Sequence, residues 1–148
     1  MLKMRWFFGA LLVMLALAVP AAAYNNPQIT GVTIDSATID RGGQVTVQGH
    51  LYCTENDGVP FGFQINGQNS SIKQVVGKTK SVQGGLWGGG GGPGCTGLTD
   101  WQSGSSAFNG KFTSGWATVN VQIQGACDQD GCHAWGGTQR YLKIVNKG

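Results

Sequence analysis

The residues best equipped for chemistry crowd near the C-terminal end, where Cys127, Asp128, Asp130, Cys132 and His133 fall close together. Two thiolates, an imidazole and two carboxylates could in principle hold a zinc-like metal ion. Asp128-Gln129-Asp130-Gly131 also has the D-x-D-G opening of a calcium loop, with two hard oxygen donors before a turn-forming Gly. The distal Glu of such a loop is missing, and closing Cys127 on Cys132 would leave little room for six or more ligands. A disulfide beside a solvated turn is the stronger expectation, and no metal or cofactor is assigned. Cys53 and Cys95 complete an even set of four. Three connectivities are open, and the favoured one pairs Cys127 with Cys132 within a hairpin and Cys53 with Cys95 across distant parts of the chain.

Catalysis has little to work with. His50 and His133 are the only histidines, and alternation places His50 on the polar side of a strand beside Tyr52, where a solvent-facing role is expected. There is no G-x-S-x-G elbow and no H-E-x-x-H pair. Gly77-Lys78-Thr79 imitates the end of a phosphate loop, but the position that should hold the first Gly is Ile72. The carboxylates Asp35, Asp40, Glu55, Asp57, Asp100, Asp128 and Asp130 include no pair that spacing marks as an acid/base couple. No catalytic residue is assigned, and the chain is expected not to be an enzyme.

Large aromatics offer a different chemistry. Trp87, Trp101, Trp116 and Trp135 are the candidate contact residues, because an exposed indole on a rigid scaffold grips sugar rings or protein partners through a large apolar area at small entropic cost. Trp87 lies in Gly84 to Gly94, a stretch with eight Gly in eleven residues, which is expected to be a mobile loop between two strands. Asn69-Ser70-Ser71 is a glycosylation sequon, meaningful only in a host that glycosylates exported proteins.

The elements that must position these residues follow from a period of two. Val45, Val47, Gly49, Leu51 and Cys53 share one side of a strand over Gln44 to Cys53. Val59, Phe61, Phe63 and Ile65 alternate before an Asn66-Gly67 turn, and Ala117, Val119, Val121 and Ile123 alternate within Trp116 to Gly125. Weaker strands are expected at Ile29 to Asp35, Ser71 to Val76, Cys95 to Trp101, Ala107 to Phe112 and Thr138 to Val145. In the last, Leu142 and Ile144 should face the core and Arg140 and Lys143 the rim. With no helical stripe and no crossover helix, these strands describe an all-β, antiparallel β-sandwich or small barrel of about seven to nine strands.

Residues 1–23 read as a secretion signal: Lys3 and Arg5, an apolar run from Trp6 to Val19, then Pro20-Ala21-Ala22-Ala23 as a small-residue cleavage site. That run is short beside the ~20 residues that span a bilayer. Residues 24–148 are expected to form a single domain starting at Tyr24, secreted or extracellular, or periplasmic in a Gram-negative host, with no membrane span. The signal removes two of the ten basic residues, leaving eight against seven acidic ones. A charged fraction of 11% and a near-neutral mature chain argue against a nucleic-acid partner.

The stretch Val32-Thr33-Ile34-Asp35 through Arg41-Gly42-Gly43-Gln44-Val45-Thr46-Val47-Gln48-Gly49 resembles the first two strands of secreted bacterial immunoglobulin-like domains. Gly115 to Ile123, followed by Cys127-x4-Cys132 and Thr138 to Val145, resembles their final hairpin. The hairpin is also distantly similar to that of neocarzinostatin-type apoproteins. Those keep their second cysteine pair close in sequence, whereas Cys53 and Cys95 have 41 residues between them, so their cleft residues do not carry over. The resemblance implies an immunoglobulin-like β-sandwich and no established activity. Two readings of function follow. The leading one is a secreted, non-catalytic binding or interaction module for a cell-surface glycan or protein; the alternative is a structural or stress-protective exported protein without a specific ligand.

Overall fold

Residues 27–54 and 61–148 are described by the computed structural model; among them are ten strands and no helix. The expected signal, residues 1–23, and the start at Tyr24 lie outside the described residues, as do Glu55, Asp57 and Val59. In chain order the strands are β1 (Ile29–Val32), β2 (Ser36–Ile39), β3 (Val45–Cys53), β4 (Phe61–Ile65), β5 (Ser71–Val76), β6 (Lys80–Gly85), β7 (Gly88–Cys95), β8 (Leu98–Ser105), β9 (Gly115–Asp128) and β10 (Gly131–Asn146).

The strands form one hydrogen-bonded ladder with two arms. In the first, β3 has β8 along one edge and shares the other between β1 and β2. In the second, β9 has β10 along one edge and shares the other between β4 and β5, with β7 continuing from β4 and β6 from β5. β2 joins the arms. It runs antiparallel to β3 and parallel to β10, with Ala37, Thr38 and Ile39 opposite Ile144, Val145 and Asn146. That parallel pair departs from the expected all-antiparallel pairing. It needs no crossover helix, because nearly the whole chain lies between the two strands.

Burial follows the alternation. Val45, Val47, Leu51 and Cys53 of β3, Phe61, Phe63 and Ile65 of β4, Ala117, Val119, Val121 and Ile123 of β9, and Leu142 and Ile144 of β10 lie in one core with Ile34, Ala37 and Ile39. Fully burying a Val, Leu or Ile side chain contributes roughly 1.5–3 kcal/mol. A slip of β9 by one residue would exchange four apolar core groups for Thr118, Asn120, Gln122 and Gln124, so the register is strongly specified.

Two sequence expectations are corrected. The Gly-rich stretch is no loop: Gly88, Gly89 and Gly90 pair with Ile65, Gln64 and Phe63 as the strand β7. Sheet pairing uses only backbone groups, which glycine has in full, and the missing side chains permit close approach. At Gly94 both needs coincide, since φ is +66° and a Cβ would lie 2.0 Å from the Phe61 carbonyl oxygen. Ala107 to Phe112 is no strand. It runs beside β6, where the Asn109 side chain accepts from the Gln83 N–H at 2.8 Å and donates to the Ser81 carbonyl at 2.9 Å, imitating a backbone partner. The buried Gln74 side chain does the same for Thr113.

Both favoured cysteine pairs are disulfides. Cys53–Cys95 is buried and ties the end of β3 to the end of β7, while Cys127–Cys132 clasps register partners beside the β9–β10 turn. Two such bonds belong to an oxidising compartment. No helix among the described residues is long and apolar enough to cross a membrane. From sequence separations of 42 and 5, chain entropy assigns about 4 kcal/mol to the first bond and about 2 kcal/mol to the second. Replacing Cys53 and Cys95 together by Ala should lose about twice the unfolding free energy lost on replacing Cys127 and Cys132 together, measured by urea unfolding with the slope fitted for each variant, because a released cross-link leaves a more expanded unfolded chain.

Candidate functional site

The β9–β10 hairpin determines where the aromatics point. Its register sets Trp116, Thr118, Asn120, Gln122 and Gln124 of β9 opposite Lys143, Tyr141, Gln139, Gly137 and Trp135 of β10. Because the alternate residues of β9 fill the core, this row must face outward. Trp116, Tyr141 and Trp135 are 55%, 65% and 63% exposed, large values for residues of this size. Trp116 and Tyr141 stack, with ring centroids 5.1 Å apart and planes inclined by 16°. They are diagonal cross-strand neighbours, within reach of each other because both side chains are long.

Trp135 stands at the other end of the row. Eight residues of β9 separate the level of Trp116 from that of Gln124, roughly 27 Å at the usual rise per residue. Beside Trp135, the absence of a side chain at Gly137 leaves a shallow groove of about 290 Å³, lined also by Asn66, Gln122 and Gln124. Gln64 of β4 lies opposite Gln124 and extends the row of amides. Each amide offers both donors and an acceptor, which suits a ligand rich in hydroxyl groups.

The other two indoles are placed differently. Trp101 is 4% exposed and belongs to the core, not to any binding surface. Its Nε1–H donates to the His50 carbonyl at 3.2 Å, and its ring closes over Gly49, where a Cβ would meet Trp101 Cζ2 at 2.8 Å and the Thr33 carbonyl oxygen at 1.9 Å. Trp87 is 62% exposed but is seated on the protein instead of hanging from a loop. Its backbone bridges to Gly104, its carbonyl accepts from Ser103 Oγ at 2.7 Å, and its indole lies against Gly67, where a Cβ would come within 2.1 Å of Cδ2 and Cε2. Gly67 follows Asn66 of the Trp135 groove.

Titratable groups gather in two places. His50 of β3 is held between carboxylates: Nδ1 meets Asp35 Oδ2, and Nε2 lies 3.2 Å from Asp100 Oδ1. Ser36, Gln48 and Gln102 join them around an open groove of about 470 Å³. The sequence reading placed His50 on the polar side correctly but missed this grouping, since Asp35 and Asp100 reach it only through strand pairing. A carboxylate stands at each ring nitrogen, and the Ser36 hydroxyl is directed to Gln48 Oε1 at 3.4 Å.

At the hairpin tip Asp128 Oδ1 accepts the Asp130 N–H at 2.8 Å, and Oδ2 lies 2.9 Å from His133 Nε2. The backbone N–H of Asp130, and after it the His133 side chain, hold the Asp128 carboxyl below the ordinary carboxylate range. The D-x-D-G sequence thus braces its own turn. Its flanking sulfurs are bonded to each other, so they are not thiolate ligands. Among the described residues no group of three or more His, Cys, Asp or Glu is placed to hold a metal ion.

Gly67→Ala should displace the Trp87 indole, read as a shift of its Nε1–H resonance identified by comparison with Trp87→Phe, while leaving the Trp135 resonance in place. A depressed carboxyl stabilises the fold above its unfolded value and loses that contribution as pH falls through the folded value. Asp128→Asn should therefore melt slightly below wild type at neutral pH, and the two melting temperatures should converge in strong acid.

No protein-family model matches this chain, and no curated protein matches it.

Proposed function

We propose that the chain is a secreted, non-catalytic binding module whose residues 24–148 form one immunoglobulin-like domain, and that it grips a glycan on the outward face of β9 and β10. The observation that carries this reading is the exposure of Trp116, Tyr141 and Trp135 on one side of a single hairpin, with Asn120, Gln122, Gln124 and Gln139 between them. Indole and phenol faces suit the apolar C–H faces of sugar rings, and the amides suit their hydroxyls. The strand pairing keeps this surface preformed, so little ordering entropy opposes binding.

The remaining parts of the proposal have separate support. Two disulfides favour export. A sandwich is supported by β2, which pairs with both arms as a strand does when it passes between two sheets. The non-catalytic part of the reading comes from the sequence, which has no G-x-S-x-G elbow and no H-E-x-x-H pair. The alternative, a structural protein without a ligand, leaves three large aromatics in water on one face with nothing to explain them.

Retention on insoluble cell-wall and plant polysaccharides tests the reading. Trp116→Ala and Trp135→Ala should each weaken binding by about 30-fold, the effect of losing a contact worth ~2 kcal/mol, while Leu98→Ser on β8 should not. Equal retention of wild type and the Trp116→Ala/Trp135→Ala double variant would remove this face from the function.

A further inference from the structure

The same face is electrically graded. Lys143 is the register partner of Trp116, and Lys73 of β5 is the register partner of Thr118, whose other neighbour is Tyr141. Two exposed ammonium groups therefore flank the Trp116–Tyr141 stack, one from each side of β9. The described carboxylates nearest that end are already engaged: Asp35, which borders β10 at Arg140, turns its carboxyl to His50 Nδ1, and Asp40, just past the rung of Ile39 with Asn146, accepts the Gln44 N–H, while Asp128 and Asp130 stand at the far tip of the hairpin. The tip lies twelve residues along β9 from Trp116, about 40 Å at the strand rise. Electrostatic fields between exposed charges fade over ~8 Å at physiological ionic strength, so the tip cannot neutralise the lysines. The middle of the row carries only neutral amides.

We propose that the ligand is an acidic glycan, a sugar polymer carrying carboxylate or other anionic substituents, laid along β9–β10 with an anionic sugar on the Trp116–Tyr141 stack between Lys73 and Lys143. This rests on the glycan reading above and deepens it. The stack supplies a platform for the ring, and the two ammonium groups, on opposite sides of it, supply partners for the charge that a neutral sugar would leave unused. The gradient also orients the polymer's anionic substituents away from Asp128 and Asp130, where like charge would oppose them.

Polygalacturonate and hyaluronate, each beside its methyl-esterified form, provide rings of the same shape with and without charge. Wild type should bind the acid forms more tightly at low salt by about fivefold, the sum expected of two exposed ion pairs, and the preference should vanish at high salt. Lys73→Gln/Lys143→Gln should bind acid and ester alike, at the affinity of wild type for the ester, whereas Trp116→Ala should weaken both by about 30-fold. Equal binding of acid and ester by wild type, or a preference that survives in the double Lys variant, would overturn the acidic ligand and leave the glycan reading standing. Binding of neither form of either polymer, with no retention on the cell-wall and plant polysaccharides, would refute the glycan reading and this inference together.

Discussion

β9 is the constraint from which the rest follows. Ala117, Val119, Val121 and Ile123 are almost wholly withdrawn from solvent, and the strand is paired on both edges, with β10 along one and with β4 and β5 along the other. A strand fixed so tightly on one side has no freedom on the other. Burial of four small and branched residues therefore dictates that Trp116 and the amides after it stand outward, at spacings set by the pleat. Ser70 extends the same control into the β4–β5 turn, its hydroxyl accepting the Gln122 N–H at 2.8 Å and donating to the Gln122 carbonyl at 3.2 Å. The groove beside Trp135 is bounded by that turn and inherits its rigidity.

What could be read from sequence was whatever alternates. β3, β5 and β9 lie close to where Gln44 to Cys53, Ser71 to Val76 and Trp116 to Gly125 place them, and Leu142 and Ile144 are buried as expected. The two cysteine pairings were legible because one joins near neighbours across a hairpin. β6 and β7 were hidden because Gly84, Gly85 and Gly88 to Gly90 carry no hydrophobic signature, although their backbones pair like any others. At Ala107 to Phe112 the reverse happened: an apolar pattern suggested a strand, while Asn109 and Gln74 replaced backbone pairing with side-chain amides.

The candidate contact residues were legible by type and not by place. Four indoles were candidates, yet exposure divides them, since Trp101 fills the space above Gly49 and the other three face solvent. Tyr141 escaped notice because nothing in a single strand reveals a diagonal neighbour; its stack with Trp116 exists only once the register of β9 and β10 is known. The carboxylates around His50 and the lysines around the stack share this property. Each grouping is assembled by cross-strand pairing, which a one-dimensional pattern does not contain.

The parallel contact between β2 and β10 gives the molecule a mechanical character. Tension drawn between the two ends of the described chain pulls these strands past each other along their length, because they point the same way. The rungs from Ala37 to Ile39 against Ile144 to Asn146 then bear load in shear and must yield together, whereas an antiparallel pair pulled from one end would unzip rung by rung. Once those rungs yield, the load runs down β10 past Lys143 and Tyr141 first, and Cys127–Cys132 at the far tip shields the turn beyond it from extension.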